Sequence, residues 1–399
     1  MAQVKASSIT KVYVVGFLFN VSFLSFAILI PVDALAHHFP VFLVGVLAAI
    51  PGILQLPLRI FSGPLVDRMG ERWVLGVTFF LATIAGVVLT VGPLSLIPSL
   101  IAGQLCMGAA RGLFWPAAQS QVSREPENRV RQLGLFTSFT KGGALVGTAL
   151  AGGIAEEAGI RGGFAFAAAL GFVALVIGAT LPKTLAATRP SSLSAAISRL
   201  LPSVRQPFVI VNGLVAVLCA LPQSLAQSFY PVSLLQLGLK PGSASLITAL
   251  TSLGMIISGF FGDRALKRMG MRSVVTISAL FIGLSLATTA VHQIAWDAAA
   301  IFVGGFFAGW LNVAFLTAVS SRSADGERGT NLGVTQAFFV MAFMGTPLFS
   351  GWLFGTAGRA DTFLVEGVLS VIVAMLIVVL WRWQKERAPT GNPRQLVHF

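Results

Sequence analysis

Acidic side chains are scarce in this chain. It holds 14 Asp and Glu against 27 Lys and Arg in 399 residues, and charged residues of every type make up only 10%. A soluble domain carries about 25%. Too little polar surface is available to coat a water-soluble globule, so lipid must supply most of the solvent. Cysteine is limited to Cys106 and Cys219. Both lie in apolar runs without the spacing of metal ligands, so they are expected to be small core residues, with neither a disulfide nor a metal site. A phosphate-cradling loop, histidines at zinc-ligand spacing and a nucleophile elbow are all missing. No catalytic residue or cofactor is therefore expected, which argues against an enzyme. The net charge of +13 would suggest nucleic acid in a soluble protein. Here the basic residues gather in short loops, as they do on one side of a membrane, and no nucleic-acid partner is expected.

What is abundant is apolar sequence. Cutting at charge and Pro/Gly clusters leaves twelve runs, each near the roughly 20 residues a bilayer core requires. They are 12–35, 41–66, 73–91, 94–119, 131–155, 162–182, 207–232, 241–262, 273–291, 297–319, 329–356 and 361–381. The first, with Lys5 and Lys11 before it and Ala34-Leu35-Ala36 at its end, imitates a signal peptide. It is long for a signal core and long enough to span, so a retained span 1 is expected. With both termini in the cytoplasm, Arg161, Lys240 and Arg359 fall outside and Arg59, Arg111 and Lys141 within the membrane, leaving 21 of the 27 basic residues cytoplasmic. That bias sets the orientation and implies a multi-pass protein of a cell inner (plasma) membrane. The widest gap, 183–206, divides the chain into an N-terminal six-helix bundle (1–182) and a C-terminal bundle with its tail (207–399). Ala195–Leu201 reads either as a short surface helix or as simple basic linker.

The halves repeat. Gly63-Pro-Leu-Val-Asp67-Arg68-Met-Gly70-Glu71-Arg72 separates spans 2 and 3, and Gly259-Phe-Phe-Gly-Asp263-Arg264, then Gly270-Met-Arg272, separates spans 8 and 9 with about one extra helical turn, Ala265–Met269. A second pair, Ser123 to Arg129 leading to Gly134 and Ser321 to Arg328 leading to Gly333, joins spans 4–5 and 10–11. The pattern G-x-x-x-D-R-x-G-x-R resembles the loop between helices 2 and 3 of the major facilitator superfamily of secondary transporters, and the resemblance extends over nearly the whole chain. It implies an all-α membrane fold of twelve helices in two pseudo-symmetric bundles, usually monomeric. Substrate would bind near the midplane and be exposed alternately as the halves rock. It also implies that the paired loops latch conformations. Gly63, Asp67, Arg68, Gly70 and Arg72 form the first copy, and Asp263, Arg264 and Arg272 the second. The plainer alternative is a pair of solvated turns.

Two motifs depart from the family. Gln104 stands where helix 4 commonly carries a buried Arg. The Gly147-Thr148-Ala-Leu-Ala-Gly152-Gly153 stretch lacks the proline of antiporters. Both weaken a drug–proton antiporter assignment. Gly142, Gly143, Gly147, Gly152 and Gly153 in span 5 are explained by close helix packing.

Arg59, Arg111 and Lys141 stand out. A charge at a membrane helix centre costs about 2.5–3.5 kcal/mol on insertion scales, so it faces a wet cavity or a partner. Each lies roughly nine or ten residues from the cytoplasmic end of its span, about 13–15 Å deep. Asp33, towards the outer end of span 1, is the nearest acid, and the others are assigned to loops or helix ends. Buried cations without buried anions favour an anionic ligand, which guanidinium groups hold bidentately. The alternative is snorkelling or carbonyl bonding that braces helices. Asn20, Trp115, Gln119, Asn212, Gln223, Gln227, Tyr230, Asn312 and Gln336 are candidates to complete a pocket; Asn20, Gln104, Trp115, Gln223 and Asn312 are counted with the cations as substrate-binding. Arg59 also resembles the helix 2 arginine of nitrate/nitrite transporters, but their helix 8 arginine is matched by Met255, which disfavours nitrate. The phenylalanines are expected to face lipid or neighbouring helices. Asp33 with His37 and His38 reads either as a proton-coupling cluster or as an exposed loop. The expected partners are thus a small anionic solute, a coupling proton or counter-anion, and the bilayer. Proton-driven efflux of drugs or secreted metabolites is the rival.

Overall fold

Inside lipid, only a helix or a closed barrel satisfies every backbone N–H and C=O, and in the computed structural model the described elements are helical. The structure describes residues 2–93, 97–122, 129–182, 198, 202–291, 293–323 and 328–387. The helices are α1 Ala2–Ala36, α2 Val41–Ala49, α3 Pro51–Met69, α4 Glu71–Val91, α5 Ile97–Val122, α6 Arg129–Gly178, α7 Pro207–Ala226, α8 Phe229–Gln236, α9 Pro241–Thr288, α10 Ile294–Arg322, α11 Arg328–Thr356 and α12 Gly358–Arg387. Among the described residues, nine stretches are long and apolar enough to cross a membrane. Two of them, Gly134–Gly178 and Pro241–Val291, bend at Gly159 and Gly270 and cross twice. The polar-rich α5 supplies the remaining one of the twelve crossings.

The inter-span turns are tighter than their charge pattern suggests. Asp67 and Arg68 lie in the last turn of α3, which stops at Gly70 (φ 78°, ψ 152°). In the second copy, Asp263 and Arg264 are mid-helix, and the break comes at Gly270 (φ 77°, ψ 162°). The extra turn Ala265–Met269 is therefore a longer helix, and the two copies coincide at the glycine. A positive φ with ψ near 150–180° is open essentially to glycine alone. Beyond their place in α3, the surroundings of Gly63 and Asp67 lie outside the described residues, as do 123–128, 324–327 and all of Ala195–Leu201 except Ser198.

Spans 2 and 7 are interrupted. Pro51, lacking an N–H, divides α2 from α3, and Gln227–Ser228 divides α7 from α8. The halves meet through α6 against α9, α11 against α2 and α3, and α1 against α8. On the face away from the chain ends the approach is close. Gly152 leaves no room for a Cβ against the Pro241 carbonyl, nor does Gly45 against Pro347. Glu156 Oε1 pairs there with Lys240 Nζ at 3.2 Å, across the halves. The side away from the chain ends is therefore closed. Gly143 and Gly147 likewise admit the backbone of α1 at Phe17 and Val21, which is the close packing expected of the span 5 glycines.

Candidate functional site: a cationic cavity between the halves

At mid-depth the halves enclose a cavity of about 110 Å³ of water-accessible space, bounded by α1, α3, α5 and α6 on one side and α7, α9, α10 and α11 on the other. Arg59, Arg111 and Lys141 all reach it, and so do Asn20, Trp115, Gln223 and Asn312. Of the further amides, Gln119, Gln227 and Gln336 join them. Among the described residues, no Asp or Glu lines it.

The three cations are held differently. Arg59 donates to Gln336 Oε1. Lys141 Nζ donates to Gln223 Oε1 at 3.0 Å and lies 3.6 Å from the Met255 sulfur. Both contacts join an N-half cation to a C-half side chain. Arg111 is only 7% exposed and sits between two rings, 4.5 Å from the Phe23 centroid and 4.2 Å from that of Phe343. Cation–π contact of this kind steadies a guanidinium while leaving the N–H groups in its own plane free for an acceptor. Among the described residues no oxygen accepts a hydrogen bond from Arg111. Arg111 thus presents charge-assisted donors without a resident acceptor among the described residues, while Arg59 and Lys141 are held by amide oxygens.

Several expectations require correction. Gln104 does not reach the cavity; its Nε2 donates to the Leu47 carbonyl at 2.8 Å and ties α5 to α2. An amide buried between helices finds the nearest free carbonyl. Asn212 bonds the Phe208 carbonyl at 2.8 Å on its own helix, and Tyr230 packs on Phe363. Asp33 is not in an exposed loop: it is fully buried in α1, with His37 Nδ1 3.3 Å from Oδ1 and 3.0 Å from its own carbonyl. It does not line the cavity. Nor are all the remaining acids in loops or at helix ends. Glu366 lies eight residues into α12, buried against Ser350. The phenylalanines also carry more than expected, since Phe19, Phe23, Phe315 and Phe339 line the cavity. Sequence reasoning missed these and the small hydroxyls Thr137, Thr148, Thr248, Thr251 and Ser252. Their only signal was a polar atom recurring on one face of spans 5 and 8.

The paired loops are not joined to each other by the contacts described. Arg72 donates to the Ala179 carbonyl in its own half, and Asp263 pairs with Lys267 at 2.6 Å. Arg68, Arg264 and Arg272 are exposed. Cys106 and Cys219 are free thiols.

A duplicated helical bundle with a water-accessible, cationic cavity between its halves defines a multi-pass membrane transporter. The Major Facilitator Superfamily model matches residues 12–221 and again 213–396, and the chain belongs to that superfamily. It is accordingly a transporter rather than an enzyme. Among curated proteins it is similar to the quinolone resistance protein NorA of Staphylococcus aureus (strain MRSA252), 21% identical over 381 residues that span 92% of this chain and 96% of the relative. Among solved structures, a POT family transporter in complex with 5-aminolevulinic acid superposes with a TM-score of 0.79 at 14% identity, covering 93% of this chain and 95% of that one. The nucleoside transporter NupG gives 0.76 at 15% identity, covering 93% and 99%. At such identities the structures establish the fold and leave the substrate open.

Proposed function

We propose that this chain is an alternating-access transporter of a small organic anion, bound at mid-depth by Arg59, Arg111 and Lys141. The observation that carries the reading is Arg111, whose donors meet no acceptor among the described residues, on a cavity wall whose described residues include two further cations and no acid. Three like charges in a medium of low dielectric repel, and an anion among them relieves that repulsion. A ligand carboxylate or phosphate would accept from Arg111 in the plane between Phe23 and Phe343 and draw Arg59 and Lys141 towards itself. Trp115, Asn20, Gln223 and Asn312 would shape the remainder. Because Arg59, Lys141 and Phe343 already bridge the halves, a bound anion would favour their closing. Opening on the other face would then need a proton or counter-anion to balance the charge.

The Lys/Arg bias supports a plasma (inner) membrane location with both termini cytoplasmic. We further assign a monomer, a division of the halves at 183–206, and a latching role to the Asp67 and Asp263 loops. A second reading, proton-driven efflux, is favoured by the near full-length similarity to NorA; Asp33 would then carry the proton.

Thermal unfolding of the purified chain against carboxylates, organic phosphates, lipophilic cations and neutral solutes, beside Arg111→Gln, tests the choice. A ligand that binds only the folded state raises its apparent stability. Stabilisation by an anion that disappears in Arg111→Gln is the expected outcome. Stabilisation by lipophilic cations, intact in Arg111→Gln and lost in Asp33→Asn, would replace this reading with efflux.

A further inference from the structure

The surface between spans 9 and 12, on the face that carries the chain ends, holds a second recess. Arg272, Ser273, Thr276 and Ile277 of α9 line it with Val378 and Arg382 of α12, forming a shallow, open groove beside about 410 Å³ of water-accessible space. On α9, residues 272, 273, 276, 277 and 280 fall on one helical face. On α12, residues 375, 378, 379 and 382 do the same. Each face grades from an arginine at the rim to exposed apolar side chains deeper in the span: Leu280 (56% exposed) on one, Met375 and Val379 (58% and 60%) on the other.

The rim is built for an anion. Gly270 interrupts α9 with its positive φ, so Met271, Arg272 and Ser273 open a new helical segment, and their N–H groups add partial positive charge to the two guanidinium groups. Arg322 stands close enough for its charge to oppose that of Arg272. Neither Arg272 nor Arg382 has an acidic partner among the described residues. Arg272 and Arg382, without an acid against them among the described residues and at the level where a span leaves the membrane, match the charge of phospholipid headgroups.

We propose that this recess binds one anionic phospholipid. Its phosphate lies between Arg272 and Arg382, accepts from Ser273 and Thr276, and its acyl chains run over Ile277, Leu280, Met375 and Val379. The apolar continuation selects a lipid over a free anion, because a soluble phosphate would leave that half of the groove uncovered. Arg272 belongs to the second copy of the loop motif, so a lipid held here also occupies a side chain that the latch would otherwise use.

The test uses the full-length protein in neutral detergent, with phosphatidylglycerol, phosphatidylcholine or inorganic phosphate added, for wild type and Arg272→Gln/Arg382→Gln. Native mass spectrometry counts bound lipid and thermal unfolding reads stabilisation. Phosphatidylglycerol is expected to bind and stabilise wild type, with phosphatidylcholine and phosphate ineffective. The double variant should bind it on the order of 30-fold more weakly, since each basic residue near a lipid surface is worth about a factor of five. Equal binding by the double variant would overturn the proposal, as would equal stabilisation by phosphatidylcholine or by phosphate alone. If the double variant unfolds early, the single variants Arg272→Lys and Arg382→Lys decide. They keep the charge, so retained phosphatidylglycerol binding supports the site and its complete loss counts against it.

Discussion

Arg111 and Arg359 are both arginines buried within the bundle, one in each half, and their surroundings differ. Arg359 opens α12 with its guanidinium 2.5 Å from Asp297 Oδ2 and a further bond to Ser233 Oγ. Arg111 lies over two aromatic rings, Phe23 and Phe343, and pairs with no acid among the described residues. The same contrast holds across the halves: the N-terminal one sends three cations into the cavity, and the C-terminal one answers with Gln223, Asn312 and Gln336. Removing a buried charge from water is costly. Pairing it within the fold recovers that cost as structure, whereas leaving it unpaired reserves it for a ligand. Pseudo-symmetric backbones thus carry an asymmetric site.

The largest expected effect comes from breaking the paired arginine. Arg359→Gln leaves Asp297 as a buried charge without its cation and should destabilise the fold by about 3–5 kcal/mol. A lowered unfolding temperature, with anion binding unchanged in whatever folds, would fit the comparison. Arg111→Gln should do the opposite. Its stability should stay level or rise, because a desolvated charge is removed. Anion affinity should fall by about 1.5–3 kcal/mol, the worth of a hydrogen bond to a charged group. Calorimetric titration with the ligand found by unfolding measures it. Equal stability losses in both variants would erase the distinction between a structural cation and a binding one.

That distinction was only partly legible in the sequence. The depth of Arg59, Arg111 and Lys141 followed from counting residues along apolar spans, and the high cost of an intramembrane charge made their convergence a reasonable expectation. The Arg59 and Lys141 amide partners were also in view, because buried amides are rare in such spans. Gln104 misled, since its place in a motif says nothing of which carbonyl its amide will find. Glu366 was hidden by proximity to a span end: with α12 beginning at Gly358 instead of 361, it lies three residues deeper, just under one helical turn. The ring sandwich around Arg111 joins residues 23 and 343 across the halves, and no local pattern predicts such a pair.

The two glycine breaks sharpen the comparison at the level of backbone. Gly70 and Gly270 share φ near 77–78°, and a Cβ on Gly270 would meet no neighbour within 4 Å. Gly270→Ala should therefore cost only the conformational term, about 1–3 kcal/mol, and Gly70→Ala, at a buried position with the same φ, at least as much. Thermal unfolding of the two variants side by side checks it. A near-zero cost at Gly270 alone would mean that the longer second copy can shift its helix end and that the copies are not equivalent turns.

The smallest expected effect lies at Asp263. In this conformation its partner is Lys267, one helical turn away, and both side chains are at least 70% exposed. Exposed pairs of this kind contribute about 0–1 kcal/mol, so Asp263→Asn should leave the unfolding temperature almost unchanged. The latch role asks for more, because the carboxylate would have to leave Lys267 and reach the other half when the terminal face closes. Distances between spin labels on the two halves, measured across the terminal face, separate the possibilities. If Asp263→Asn shifts their distribution towards separation while stability holds, the acid acts in the conformation not seen here. If neither quantity moves, the second copy is a solvated turn, and latching falls to the first copy alone.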